Sequence, residues 1–134
     1  MNEIYGIIYL FLRRGLKMKI SQIISLLDSM PITMATNEDY EITHAFGADL
    51  MSDVLCYSPT DCLMITGLSN IHALRTAEMT GMQTILFVRG KIPTEEMIDE
   101  AKNTGTSLLF TSKTMFEVCG ILYINGVKPK PREK

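Results

Sequence analysis

Three apolar runs in this chain end at equal intervals, and each is followed by a segment with helical spacing. The ends are Ile65-Thr66-Gly67, Val88-Arg89-Gly90 and Thr111-Ser112-Lys113. Thr66, Arg89 and Ser112 stand 23 residues apart. Continuous apolar runs of strand length, joined by helical crossovers, imply a parallel sheet covered on both faces. Such sheets bind ligands just beyond the carboxyl ends of their strands. The spacing therefore says where a site would lie and leaves its chemistry open.

The local signals agree with that pattern. Cys62 to Ile65 reads as a short buried strand. Asn70 is an N-cap for a helix over Ile71 to Thr80, and Gly81 fits the left-handed position past its end. Thr84 to Val88 is the next strand. Thr94 caps a helix with Glu95 and Glu96 in its first turn, an inner stripe of Met97, Ile98 and Ala101, and Gly105 as its stop. Ser107 to Phe110 is the third strand. Thr114 and Glu117 form a capping box for a last helix, whose inner stripe is Met115, Val118, Cys119 and Leu122 and which stops at Asn125-Gly126.

Upstream, Ile20, Ile23, Ile24 and Leu27 predict a short amphipathic helix over Lys19 to Ser29, broken by Pro31. Ile32 to Thr36 is β-like, Asn37 to Asp39 a turn, Tyr40 to Phe46 a second strand, and Ala48 to Leu55 a short helix. Ser58 to Asp61 has turn chemistry. The expected fold is α/β: a three-layer, mostly parallel sheet of about four to five strands with helices on both faces.

A chain of 134 residues is one domain's worth. It divides into an N-terminal extension outside the fold (1–17), an α/β domain (18–127) and a basic tail (128–134) read as a solvated end. A net charge of −2 argues against a nucleic-acid partner. Three cysteines without a CxxC pair predict no disulfide framework or zinc site and fit a reduced, cytoplasmic compartment. Ile4 to Leu12 is apolar but shorter than the roughly 20 residues a membrane span needs. Arg13-Arg14 follow this run, whereas a secretory signal carries its charges before it. A membrane-surface or partner-binding helix is the alternative for this segment.

Thr66, Gly67, Asn70, Arg89, Gly90, Ser112 and Thr114 share the strand-end edge. Hydroxyls, one guanidinium and free helix N-termini suit a small anion, a phosphate or a carboxylate. The competing reading is that these residues supply only turns and caps. No Walker or G-x-G-x-x-G motif is present, so no nucleotide is indicated by motif and no cofactor is expected. His44, Asp49 and Asp53 are metal-ligand types, but Asp49 and Asp53 at i, i+4 read as a solvated face, and no metal is expected. Glu95, Glu96, Asp99 and Glu100 likewise read as solvated. A small enzyme working with His72, Arg89 and Ser112 is the second functional reading. The last helix also carries Phe116, Ile121, Tyr123 and Ile124 on its outer side. A helix apolar nearly all round is buried on both sides, which predicts a homodimer through it.

The runs EITHAFGADLMSDVL, CLMITGLSNIHALRTAEMTGMQTILFVRG and TSKTMFEVCGILY together resemble the DRTGG domain, over roughly Met18 to Val127. That module occurs within phosphotransacetylases, beside CBS domains in some inorganic pyrophosphatases, and as free-standing proteins. Its fold is similar to that of the N-terminal domain of HPr kinase/phosphorylase. Where the family has Asp-Arg after a strand-ending glycine, this chain has Ser69-Asn70 following Gly67-Leu68. Where it has Thr-Gly-Gly, this chain has Val88-Arg89-Gly90. The resemblance implies a non-catalytic module serving regulation or subunit association. Kinase chemistry belongs to a separate domain with a phosphate-binding loop.

Overall fold

A computed structural model describes residues 3–14, 16–35, 40–57 and 60–131, the side chains of 9–14 excepted. In chain order the elements are α1 (Glu3–Arg14), β1 (Met18–Lys19), α2 (Ile20–Leu26), β2 (Met30–Thr33), β3 (Glu41–Ile42), β4 (His44–Gly47), α3 (Met51–Tyr57), β5 (Cys62–Thr66), α4 (Ile71–Thr80), β6 (Thr84–Phe87), α5 (Glu95–Thr104), β7 (Ser107–Phe110) and α6 (Met115–Ile124). The main sheet has five strands in the order β2-β7-β6-β5-β4. β4, β5, β6 and β7 run parallel, and β2 pairs antiparallel with β7. β1 and β3 form a separate two-stranded ladder.

Alternating strand residues feed two cores. On one face Leu63, Ile65, Leu86 and Leu109 meet Ile20, Ile23 and Leu27 of the α2 segment and Val118 and Leu122 of α6. On the other face Met64, Ile85, Phe87 and Leu108 meet Val54 of α3, Ala73, Leu74 and Ala77 of α4, and Met97 and Ala101 of α5. This is the three-layer α/β fold expected from the apolar runs. The caps act as the sequence indicates. Asn70 accepts from His72 N, Thr94 from Met97 N, and Thr114 and Glu117 form the capping box. Gly81 and Gly105 end their helices in left-handed conformation.

The N-terminal half differs from expectation in detail. Pro31 lies inside β2, an edge strand, where proline is tolerated, and the register shifts beside it. The segment Tyr40 to Phe46 is two strands in different sheets, because β3 pairs with β1 and β4 with β5. The helix expected from Ala48 starts only at Met51, since Ala48 N still donates to Ile65 O (3.0 Å) at the end of the ladder. Ile121 does not face outward with its neighbours. It packs against the first core, while Phe116, Tyr123 and Ile124 are exposed.

The tail is not wholly a solvated end. Lys128 is buried, its N–H donates to Thr43 O, its Nζ donates to Tyr123 O (2.8 Å), and the ammonium stands 3.5 Å from the Tyr123 ring centroid. Leu16, near the end of the segment read as an extension, donates its N–H to Gly126 O (2.7 Å). Gly126 is required there twice over. Its φ is +105°, and a β-carbon would lie 2.8 Å from Leu16 Cβ. α1 exposes Ile4, Tyr5, Ile7 and Ile8. The turn at Asn37 to Asp39, the end of the expected strand at Thr36, and Ser58-Pro59 lie outside the described residues.

Candidate anion site at the strand carboxyl edge

Parallel register brings three strand ends level. Gly47 of β4 stands opposite Ile65 of β5, and Thr66 opposite Phe87 of β6. The residues just past those ends therefore meet. They are Asp49 after β4, Gly67 after β5 and Arg89 after β6.

The Asp49 carboxylate spans the end of β5. Its Oδ1 accepts from Gly67 N (2.7 Å) and from Thr66 Oγ1 (3.4 Å), and its Oδ2 pairs with Arg89 Nη2 (3.3 Å). Thr66 Oγ1 also accepts from Leu68 N (3.1 Å). Arg89 folds back across Gly67, where a β-carbon would overlap its guanidinium. Thr66 and Gly67 are buried, whereas the Arg89 and Asp49 side chains are 48% and 50% exposed.

The backbone beneath Arg89 is unusual. Arg89 and Gly90 have φ of +60° and +69°, and Lys91 N donates to Val88 O (3.2 Å). This is a tight turn with both central residues left-handed, a geometry that favours Asn-Gly. Two bonds pin it to the segment after β7: Arg89 N to Lys113 O (2.8 Å) and Gly90 N to Thr111 O (2.9 Å). Ser69 Oγ donates to Ile92 O (2.7 Å), tying the loops after β5 and β6.

The energetics do not favour this arrangement on stability grounds. A left-handed residue with a side chain costs about 1–2 kcal/mol. A half-exposed ion pair returns about 0–1 kcal/mol. The strained turn therefore holds a guanidinium in place at a small net cost, a pattern found at functional sites.

The sequence-expected site residues share this edge but differ in availability. Asn70 and Thr114 spend their side chains as helix caps. The Thr66 hydroxyl and Gly67 N–H are committed to Asp49. Ser112, Gly90 and Arg89 are exposed. Asp49, read from sequence as part of a solvated face, is instead the carboxylate at the centre. The Arg89 side chain bonds Asp49, and among the described residues neither His72 nor Ser112 joins it. No group of three or more His, Cys, Asp or Glu among the described residues is arranged to hold a metal ion. No described helix is long and apolar enough to cross a membrane.

The fold has a counterpart among solved structures. It is similar to the CBS and DRTGG domains of the regulatory region of Clostridium perfringens pyrophosphatase, complexed with the activator diadenosine tetraphosphate. The TM-score is 0.63 at 12% sequence identity, over 78% of this chain and 46% of that one. The likeness is one of fold, and this chain spans less than half of that structure's length. No protein-family model matches the chain, and no curated protein matches it in sequence.

Proposed function

We propose that this chain is a non-catalytic regulatory module of the DRTGG kind that binds a small anionic metabolite or nucleotide at its strand carboxyl edge. The observation that carries the reading is Arg89: a half-exposed guanidinium, held over the edge by a strained left-handed turn. The fold likeness to a regulatory region complexed with a nucleotide activator supports it. A thermal-shift series with inorganic phosphate, ATP and diadenosine tetraphosphate tests it. Stabilisation that disappears in Arg89→Ala is the expected result. Stabilisation that survives the substitution contradicts the site.

The module works as a homodimer through α6. Phe116 and Ile124 are 90% and 85% exposed on a helix whose opposite side is core. Apolar side chains this exposed on one helix are the kind an interface covers. Light scattering on the eluting protein is expected to give twice the chain mass, and a monomer for Phe116→Glu with Ile124→Glu. A wild-type monomer at micromolar concentration contradicts the dimer. Turnover of a bound ligand, abolished in His72→Ala, would favour the enzyme reading instead.

A further inference from the structure

We infer that the Asp49 carboxylate is a built-in occupant of an oxyanion site, and that a ligand carboxylate or phosphoryl group binds by displacing it. This rests on the reading that the strand edge binds an anion. Three donors from two strand ends converge on the two oxygens of one carboxylate: the Gly67 N–H, the Thr66 hydroxyl and the Arg89 guanidinium. A backbone N–H, a hydroxyl and a guanidinium aimed at one point are the set that recognises an oxyanion. Here the point is filled from within the chain.

The occupant can leave more easily than the donors can. Gly67 and Thr66 are buried at the end of a central strand, and the Arg89 turn is pinned by two backbone bonds. Asp49 lies between β4 and α3, outside any element, with its side chain half exposed. Its carboxylate bonds, among the described residues, are these three donors alone. A buried N–H left unpaired is costly, so Asp49 satisfies Gly67 until another oxyanion does. Release would also free the loop that leads directly into α3. Binding at the edge would thus be reported to the α3 side of the sheet, which suits a sensor.

Titrations of wild type, Asp49→Asn, Asp49→Ser and Asp49→Asn with Arg89→Ala test this, with inorganic phosphate and acetate as separate probes. Calorimetry gives the affinity, and the Gly67 amide resonance reports the site. The expected result is about tenfold tighter binding in both Asp49 single variants, within the usual range of coupling between two occupants. The double variant is expected to lose it. Whichever probe binds tighter identifies the ligand class. Wild-type binding that is unchanged or weaker in the Asp49 variants overturns the displacement while leaving the anion site standing. No binding by wild type or variants overturns both. Should the Asp49 variants not fold, the wild-type titration decides. A saturating Gly67 amide shift supports displacement, and movement of the Arg89 Nε signal with Gly67 unmoved overturns it.

Discussion

The guanidinium of Arg89 occupies the space where residue 67 would carry a β-carbon, so Gly67 is what lets Arg89 reach Asp49 across the end of β5. The obstruction involves the far end of a flexible side chain rather than backbone. Gly67→Ala is therefore expected to expel the guanidinium and break its pairing with Asp49, while stability changes by no more than about 1 kcal/mol. Thermal unfolding and an anion titration of the variant check both halves. Loss of binding with the melting temperature nearly unchanged is the expected combination.

Arg89 itself sets stability against function. Asparagine tolerates the left-handed conformation that Arg89 adopts at φ +60°. Arg89→Asn is expected to raise stability by about 0.5–1 kcal/mol, the strain relieved less the small worth of an exposed pair. The same substitution is expected to abolish anion binding. Denaturant unfolding of the two proteins measures the first effect, and a variant less stable than wild type would contradict it.

Two buried threonines give opposite signs. Thr111 Oγ1 donates to Leu27 O (2.7 Å) and accepts from Lys113 N (3.3 Å), tying the α2 segment to the end of β7. Thr111→Val leaves that carbonyl unpaired and is expected to cost about 1–3 kcal/mol. Thr84 Oγ1, at the start of β6, is buried with no hydrogen-bond partner among the described residues. Thr84→Val removes an unsatisfied hydroxyl without changing shape and is expected to stabilise by about 1 kcal/mol. Chemical denaturation of the pair measures the contrast.

The cysteines differ in burial and so in reactivity. Burial pushes the Cys62 thiol up to about 11 from 9.0, with a smaller raising contribution from Asp61 set against a lowering one from Lys130. Cys56 is exposed. Iodoacetamide at pH 8 is expected to modify Cys56 and spare Cys62 in the folded protein. Because the folded-state value lies above the unfolded one, the neutral thiol favours folding below pH 9. That contribution is lost as pH rises from about 9 through about 11. Cys62→Ala is expected to lack this part of the alkaline decline, read from unfolding curves across that range.

Much of the fold is legible in the sequence from Cys62 onward, because each signal there is local. Asn70, Thr94 and Thr114 cap their own helices, and Gly81 and Gly105 stop them within a turn. The upstream half depends on partners distant in sequence. Nothing near Pro31 reveals that β7 will pair with it, and nothing near Tyr40 separates β3 from β4. Lys128 reads as one more charge in a basic tail until Tyr123 supplies both its carbonyl and its ring. The site divides the same way. Arg89 is visible as the one guanidinium among the strand ends. Asp49 is not, since its partners lie 18 and 40 residues further along. The signal that points to it is the parallel register, which brings together the residues within two positions of the ends of β4, β5 and β6.

Arg89 and the donors beside it are expected to act together as an anion site. Calorimetric titration of inorganic phosphate into wild type and Arg89→Ala, at low ionic strength, tests this most directly. The expected result is saturable binding by wild type and none by the variant, with both proteins folded by circular dichroism. Equal binding by the two, or none by wild type and by Asp49→Asn alike, would contradict it.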